Sequence, residues 1–171
     1  YEHMVNFEKK EADSQGKGEV TIQDLLKSSL RLRPDRIIVG EVRGAEALEL
    51  INAMNTGHKG CLGTIHANSP ADAIVRLEAL AQGGENKISE KALRYQVGSA
   101  IELIIQVSRY SDGSRKIAQI AEVRGFLPDG SYDVVPLFDM SRMVRGPDGK
   151  LSGSLLTTGE KPTFMNEIID N

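Results

Sequence analysis

The sequence lacks the features that mark disulfide-bonded, membrane-spanning and nucleic-acid-binding proteins. A single cysteine, Cys61, excludes an internal disulfide and fits a reducing compartment, most simply the cytoplasm. The longest apolar run, residues 101–107, is interrupted by Glu102 and Gln106 and is far shorter than the roughly 18 residues of a membrane span. The net charge is −3 and the basic residues are scattered, so we expect no direct nucleic-acid contact.

The sequence also has no G-x-x-x-x-G-K-[ST] motif, the loop whose backbone and lysine hold nucleotide phosphates. The stretch Gly16-Lys17-Gly18 lacks both the spacing and the following hydroxyl. The chain begins without an initiator methionine, so we expect it to be part of a longer protein. Any nucleotide site to which it contributes would then take its phosphate loop from elsewhere in that protein.

Two short apolar strand candidates lie in the middle of the chain, and each leads to a polar residue suited to phosphate chemistry. Ile37-Ile38-Val39 is typical of a strand buried on both faces of a parallel sheet, and Glu41 follows it. Residues 46–54 have apolar side chains at helical spacing, and residues 61–65 form a second strand candidate that ends at His66. Because ligands of open α/β sheets bind at the carboxyl ends of strands, the pattern predicts that Glu41 and His66 share one edge.

Two motifs occur together here, GEVRG at residues 40–44 and GTIHANSP at residues 63–70. Two motifs at this spacing are specific, whereas either alone would be weak. They resemble the secretion ATPases of type II and type IV systems, and in particular the Cpa/Tad pilus-assembly branch. In that family the first motif is an atypical Walker B motif, with glycine where most P-loop enzymes carry aspartate and a functional glutamate directly after it. The second motif is similar to the family's histidine box, although Gly63 replaces a hydroxyl residue common beside it.

The resemblance implies an α/β fold, the distal part of a RecA-like P-loop ATPase core followed by a β-rich C-terminal tail. Residues 1–108 would belong to the ATPase domain and residues 109–171 to the tail. In the family the lysine loop lies upstream of the matched region, so the isolated chain would be inactive. The resemblance further implies ATP and Mg²⁺ as cofactors and a homo-hexameric motor that powers pilus assembly or protein secretion. Such a motor would be cytoplasmic and peripheral at the inner-membrane face, associated through partners such as an inner-membrane platform protein.

The resemblance also implies roles for individual residues. Glu41 would orient the attacking water or contact the Mg²⁺ shell, and His66 would donate a hydrogen bond to the γ-phosphate. The family carries an arginine at the position of Arg31, directed at the nucleotide or a neighbouring subunit. The expected catalytic residues are Glu41, His66 and Arg31; the expected nucleotide-binding residues are Gly40, Glu41, Thr64, His66 and Arg33; Glu41 is the indirect Mg²⁺ contact.

Less specific interpretations of these residues remain open. Glu41 could be a strand-end carboxylate paired with Arg43 or Arg36, and Arg43 is more simply a partner of Glu41 than a phosphate contact. A lone histidine such as His66 is more often a satisfied structural residue. The H-x2-C-x4-H spacing of residues 58–66 invites a zinc interpretation, but it lacks the usual paired spacing and a fourth ligand. Two other functions stay open, a non-catalytic docking module and the ATPase of a conjugative DNA-transfer system.

The flanking segments predict supporting structure. Residues 4–7 form a short strand candidate, and residues 9–18 form an exposed loop. A helix capped by Thr21 should end before Pro34, with Arg31 and Arg33 in its last turn, where cations complement the helix dipole. A further helix should start at Pro70 with Ser69 as its cap, and another should span roughly residues 89–99. Three Asp-Gly turns, beginning at residues 112, 129 and 148, predict a β-meander, and residues 164–169 form a short amphipathic end.

Overall fold

The computed structural model describes residues 3–58, 60–83 and 88–165. The helices in these ranges are α1 (Ile22–Leu30), α2 (Glu46–Asn55), α3 (Pro70–Gln82) and α4 (Glu90–Ala100). The strands are β1 (Ile38–Val39), β2 (Leu62–Gly63), β3 (Leu103–Arg109), β4 (Arg115–Phe126), β5 (Tyr132–Met140), β6 (Val144–Arg145), β7 (Leu151–Ser152) and β8 (Leu155–Thr157). The chain forms two compact units, Tyr1–His66 with Arg76–Ala100, and Ala67–Val75 with Ile101–Asn171.

The first unit is built on a parallel strand–helix–strand arrangement. Strands β1 and β2 pair in parallel, with Ile38 opposite Leu62 and Val39 opposite Gly63. Parallel neighbours need a crossover, and α2 supplies it between them. Helix α2 buries most of its apolar side chains, and α1 and α4 both pack against it. The α/β fold class expected from the sequence is therefore present.

Only one face of the β1–β2 pair is covered within the part of the chain that the structure describes. Ile37 and Val39 are buried, whereas Ile38 is 69% exposed and Leu62 is 56% exposed. The prediction that this strand is buried on both faces is therefore wrong for the present chain. The reason is that side chains alternate along a strand and α2 covers only the side that Ile37 and Val39 occupy.

Helix α1 begins as predicted and ends earlier than predicted. The Thr21 hydroxyl accepts the Asp24 N–H at 3.1 Å, and the Asp24 carboxylate accepts the Thr21 N–H at 3.0 Å, which completes a capping box. The helix ends at Leu30, so Arg31 is its C-cap and Arg33 lies beyond it. The prediction that these two arginines occupy the last turn is wrong. The chain must leave the helical conformation before the proline that follows Arg33, and the basic residue of the last turn is instead Lys27.

The segment before α1 has no strand at residues 4–7. Met4, Val5 and Phe7 are exposed, because the described chain offers them neither a neighbouring strand nor an apolar surface. An isolated bridge between Lys10 and Val20 is the first pairing in the segment. The strand prediction is wrong, whereas the exposed loop predicted for residues 9–18 is present.

The second unit is an antiparallel sheet with the strand order β3-β4-β5-β8. The turns at Asp112-Gly113 and Asp129-Gly130 connect its first three strands, and both glycines have positive φ, 84° and 83°. The predicted meander is therefore confirmed. Strand β3 pairs with β4 from Leu103 to Arg109, so residues 101–108 lie with the sheet and not with the first unit. The predicted amphipathic end extends into residues 166–171, which lie outside the described residues.

A buried carboxylate holds the segment after β8 against β4. Glu122 is only 2% exposed, and its Oε1 accepts the Thr163 N–H at 2.8 Å and the Thr163 hydroxyl. Its Oε2 accepts the Arg124 Nε–H at 2.8 Å. Burial by itself raises the pKa of Glu122, but the hydrogen bonds from Thr163 and Arg124 outweigh it, so the pKa lies below its ordinary value. Glu122 is therefore an ionised, fully partnered group.

Candidate functional site

An extra residue interrupts the ladder between β1 and β2 at Gly40-Glu41. The Thr64 N–H donates to the Val39 carbonyl at 3.3 Å, and the Thr64 carbonyl accepts the Val42 N–H at 2.8 Å. In a regular parallel ladder the two partners of one residue are two positions apart, whereas Val39 and Val42 are three apart. The first strand therefore bulges by one residue at its carboxyl end, where Glu41 lies.

The bulge is supported by a side chain from the second strand. The Thr64 hydroxyl donates to the Gly40 carbonyl, so this carbonyl within the bulge is also bonded to the second strand. A Cβ at Gly40 would meet nothing within 4 Å, so the space beside this residue is open. Gly40 and Thr64, both expected at a nucleotide site from the sequence, thus lie beside Glu41 and hold its backbone.

The structure brings Glu41 and His66 together at this edge. His66 Nε2 lies 3.0 Å from Glu41 Oε1, and the Arg43 guanidinium pairs with the other oxygen, Oε2. The Glu41 side chain is 26% exposed, whereas the His66 side chain is 82% exposed. Oε1 itself is buried, and within the described residues no hydrogen bond of regular geometry reaches it, although the nearby imidazole contributes to the lowered pKa of Glu41. The pair is therefore adjacent but loosely bonded on the histidine side.

Arg43 also controls the ionisation of Glu41. Its guanidinium, as hydrogen-bond donor and positive charge, lowers the pKa of Glu41 against the opposing effect of partial burial. The same pair raises the pKa of Arg43. Glu41 is therefore an anion at neutral pH, with one oxygen held by Arg43 and the other beside His66.

These residues fit the catalytic edge of a nucleotide–Mg²⁺ site. An ionised carboxylate with an unsatisfied oxygen can orient a water or contact the hydration shell of a hard cation such as Mg²⁺. An exposed imidazole can donate a hydrogen bond to a phosphate oxygen. The sequence of the chain contains no G-x-x-x-x-G-K-[ST] phosphate loop to complete such a site.

The structure also bears on the less specific interpretations. Glu41 pairs with Arg43 and not with Arg36, whose side chain lies beside Gly60. His66 is exposed, so it is not a buried core residue. Within residues 3–58, 60–83 and 88–165, no group of three or more His, Cys, Asp or Glu side chains is arranged to hold a metal ion.

Within the described residues, no hydrogen bond or ion pair joins the side chains of Arg31 and Arg33 to this edge. Both are exposed, and their side chains make no hydrogen bond or ion pair within the described residues. Arg33 has a φ of 50°, the left-handed region that non-glycine residues rarely adopt, and no other non-glycine residue in the described ranges has a positive φ. Their expected contacts with nucleotide or a neighbouring subunit stay predictions.

Glu46 is a residue of this region to which the sequence analysis gave no role. It is the first residue of α2, is 9% exposed, and its Oε1 accepts the N–H groups of Arg43 at 2.6 Å and Gly44 at 3.0 Å. An acidic residue in the first turn of a helix is also favoured by the helix dipole. The acidic residue directly after Gly44-Ala45, at the start of the predicted helix, was the sequence signal that could have indicated this role.

Gly63, the departure beside the histidine box, is explained by packing. A Cβ at Gly63 would lie 3.0 Å from Leu50 Cδ2 and 3.3 Å from Val42 Cγ2. The missing side chain thus lets α2 approach β2 closely.

No helix within the described ranges is long and apolar enough to cross a membrane.

Known proteins are similar to this chain in sequence and in fold. The sequence model of the family described as "Type II/IV secretion system protein" matches residues 3–127. A Mycobacterium tuberculosis protein named for conjugal transfer is 46% identical over 123 residues, which cover 71% of this chain and 34% of that protein. The type IV secretion system protein VirB11 of Bartonella henselae is 34% identical over 110 residues, 63% of this chain and 31% of that protein.

A solved structure agrees with these matches. The VirB11 ATPase from the Brucella suis type IV secretion system, crystallised with sulphate, superposes with a TM-score of 0.56 at 29% identity over 60% of this chain and 32% of that one. The present chain spans about a third of the length of the curated relatives described above. The predicted resemblance to the secretion ATPases is confirmed, and the Cpa/Tad branch stays a prediction. The chain belongs to the type II/IV secretion system protein family.

Proposed function

We propose that this chain is part of an ATP-hydrolysing motor of a type IV secretion or pilus-assembly system and supplies its Walker B and histidine-box edge. The observation that carries the proposal is the arrangement of Glu41 between Arg43 and His66, at the carboxyl end of a parallel strand pair. Ligands of open α/β folds bind at such strand ends. The naming of the Brucella suis relative as an ATPase supports the same reaction.

Glu41 is suited to orient the attacking water. Arg43 lowers its pKa, so the carboxylate is a weak base but a good hydrogen-bond acceptor. The buried Oε1 is the atom that would accept a hydrogen bond from that water, while Arg43 keeps Oε2 occupied. Bound ATP–Mg²⁺ would supply the electrophilic phosphorus and the cation that balances its charge. Positioning of the water is then the contribution of the chain itself.

His66 is suited to respond to the γ-phosphate. Its imidazole is 82% exposed and has no geometrically sound hydrogen bond to Glu41, so it can turn away at little cost. A charge-assisted hydrogen bond to a phosphate oxygen would replace the loose contact. Turning toward phosphate would also leave Oε1 of Glu41 free for the water.

The open face of the β1–β2 pair supports a larger ATPase domain. Parallel sheets are normally covered on both faces, yet Ile38 and Leu62 are exposed here. We propose that the rest of the full-length protein supplies the covering elements and the lysine loop. As inferred from the family, it would form a homo-hexamer in the cytoplasm, peripheral to the inner membrane through a platform protein. Arg31 and Arg33 would then act toward the nucleotide or the neighbouring subunit.

A second candidate is the ATPase of a conjugative DNA-transfer system. The Mycobacterium tuberculosis relative named for conjugal transfer favours it over the Cpa/Tad pilus branch. Both systems would use the same chemistry and differ in the partner that the motor drives. A gene deletion that abolishes plasmid transfer but leaves pili intact would favour the conjugative assignment.

The substitution Glu41→Gln in the full-length protein tests the proposed reaction. The amide keeps the size of the side chain but loses the charge, so nucleotide affinity should stay within about threefold while kcat falls by at least ~10². Glu49→Gln is a matched control, because Glu49 is a half-buried carboxylate on α2 that binds Gln23 and Lys27 and should leave kcat unchanged. An equal loss of binding and turnover at Glu41 would contradict the proposal, and wild-type protein without turnover would favour a docking module.

A further inference from the structure

We propose that Glu46 is a positioning residue for Glu41, acting through the turn at Arg43 and Gly44. The inference rests on the proposed function, in which the Glu41 carboxylate orients a water. It concerns a buried carboxylate that, among the described residues, makes no hydrogen bond or ion pair with Glu41 or His66. The connection runs from Glu46 to the backbone of Arg43, and from the Arg43 guanidinium to Glu41.

Within the described residues, the hydrogen bonds that Glu46 accepts all come from this turn. Its Oε1 accepts both the Arg43 N–H and the Gly44 N–H, and a Cβ added to Gly44 would lie 3.3 Å from its Oε2. No ion pair joins Glu46 to a cation within the described part of the chain. A carboxylate that is only 9% exposed would be costly without compensation, and the two N–H groups together with the N-terminus of α2 supply it.

The backbone of Arg43 needs this anchor because its side chain has little other support. The Arg43 side chain is 74% exposed, and its one ion-pair partner among the described residues is Glu41. A long, exposed side chain loses conformational entropy when it is held in one geometry. Fixing the Arg43 N–H at 2.6 Å from Glu46 sets the point from which the guanidinium reaches Glu41 Oε2. Glu46 therefore restricts Arg43, and Arg43 restricts the carboxylate.

This restriction decides which oxygen of Glu41 is available. While Arg43 occupies Oε2, Oε1 remains the free acceptor beside His66. If the turn loosens, the carboxylate can rotate, and either oxygen can face the site. Small errors in the orientation of a catalytic group reduce the rate without reducing substrate binding to the same extent.

A double-mutant cycle in the full-length protein tests the proposal. Glu46→Ala should lower kcat by roughly ten- to a hundredfold with little change in KM, and Arg43→Ala should do the same. The double variant should be no worse than Arg43→Ala alone, because Glu46 acts through Arg43. Glu46→Gln keeps an oxygen that can accept both N–H groups and should restore most of the rate. Glu49→Ala, one turn along α2, should lower stability without lowering kcat.

A second measurement does not depend on turnover. The ¹⁵N resonance of the Arg43 side chain should move toward that of a free arginine in Glu46→Ala and stay in place in Glu46→Gln and Glu49→Ala. Additive losses of kcat, or an Arg43 resonance indifferent to Glu46→Ala, would overturn the inference. Wild-type protein that binds ATP without hydrolysing it would instead overturn the proposed function, while the resonance would still decide the link from Glu46 to Arg43.

Discussion

Truncation of His66 distinguishes a phosphate-responsive histidine from one that only supports the fold. Its side chain is 82% exposed, and Glu41 keeps its partner Arg43 when the imidazole is removed. His66→Ala therefore uncovers little apolar surface and leaves no buried charge unpaired. The free energy of unfolding of the nucleotide-free protein should change by no more than about 0.5 kcal/mol, as for other surface substitutions.

The same substitution should have a large effect once ATP is bound. If His66 donates to a γ-phosphate oxygen, its removal loses one charge-assisted hydrogen bond, worth ~1.5–3 kcal/mol. Since 1.4 kcal/mol is a factor of ten, affinity for ATP should fall by roughly 10- to 150-fold. ADP has no γ-phosphate, so its affinity should be unchanged and the preference for ATP should shrink by the same factor.

Calorimetric titration of the full-length protein with ADP and with a non-hydrolysable ATP analogue measures both affinities, and thermal melting without nucleotide measures stability. His58→Ala is the matched control, because that histidine is half-buried and its buried Nδ1 has no hydrogen bond within the described residues. It should alter the apo melting temperature and leave the ATP-to-ADP ratio unchanged. If His66→Ala shows that same pattern, the phosphate-responsive role is refuted.

The 171-residue chain alone should bind ATP–Mg²⁺ poorly, because its sequence lacks the phosphate loop, and calorimetry that gives micromolar affinity would contradict this. Glu122→Gln should lower the free energy of unfolding, measured by urea denaturation, by ~2–4 kcal/mol. The reason is that the amide NH2 group would face the Arg124 Nε–H, another donor, in a buried site. Because folding lowers the pKa of Glu122, the wild type should keep this stabilisation above about pH 5 and lose it as the pH falls through the pKa of the folded state. The free energy of unfolding of the variant should depend less on pH in this range. Gly63→Ala should cost ~1–3 kcal/mol because its Cβ would crowd Leu50, whereas Gly40→Ala should not.

The strand–helix–strand core was predictable because its signals are local. A β-branched run marks β1, apolar residues at helical spacing mark α2, and Gly57, with a φ of 94°, follows the end of that helix. The order of these elements was enough to place Glu41 and His66 at the same edge. Asp-Gly pairs predicted the hairpins of the sheet for the same reason, because two adjacent residues are enough to favour a tight turn.

The errors concern properties that depend on what lies next to a segment. The pattern at Ile38 is that of a two-sided strand, but burial depends on covering elements that a short pattern does not contain. Met4, Val5 and Phe7 have strand-forming side chains and no neighbouring strand among the described residues. The sequence pattern marked Glu46 only as the start of a helix. Its hydrogen bonds to two preceding N–H groups depend on the path of the turn, which the pattern does not contain.

The bulge at the end of β1 has a consequence for motion. Thr64 is bonded through its N–H to the backbone before the bulge, through its carbonyl to the backbone after it, and through its hydroxyl to Gly40 within it. The main chain that carries Glu41 is therefore clamped at three points by one residue, only two positions before His66. A ligand arriving at this edge meets a rigid backbone and side chains that can swing. The response should appear as rotamer changes on the picosecond-to-nanosecond scale of exposed side chains, with the strands themselves staying in place.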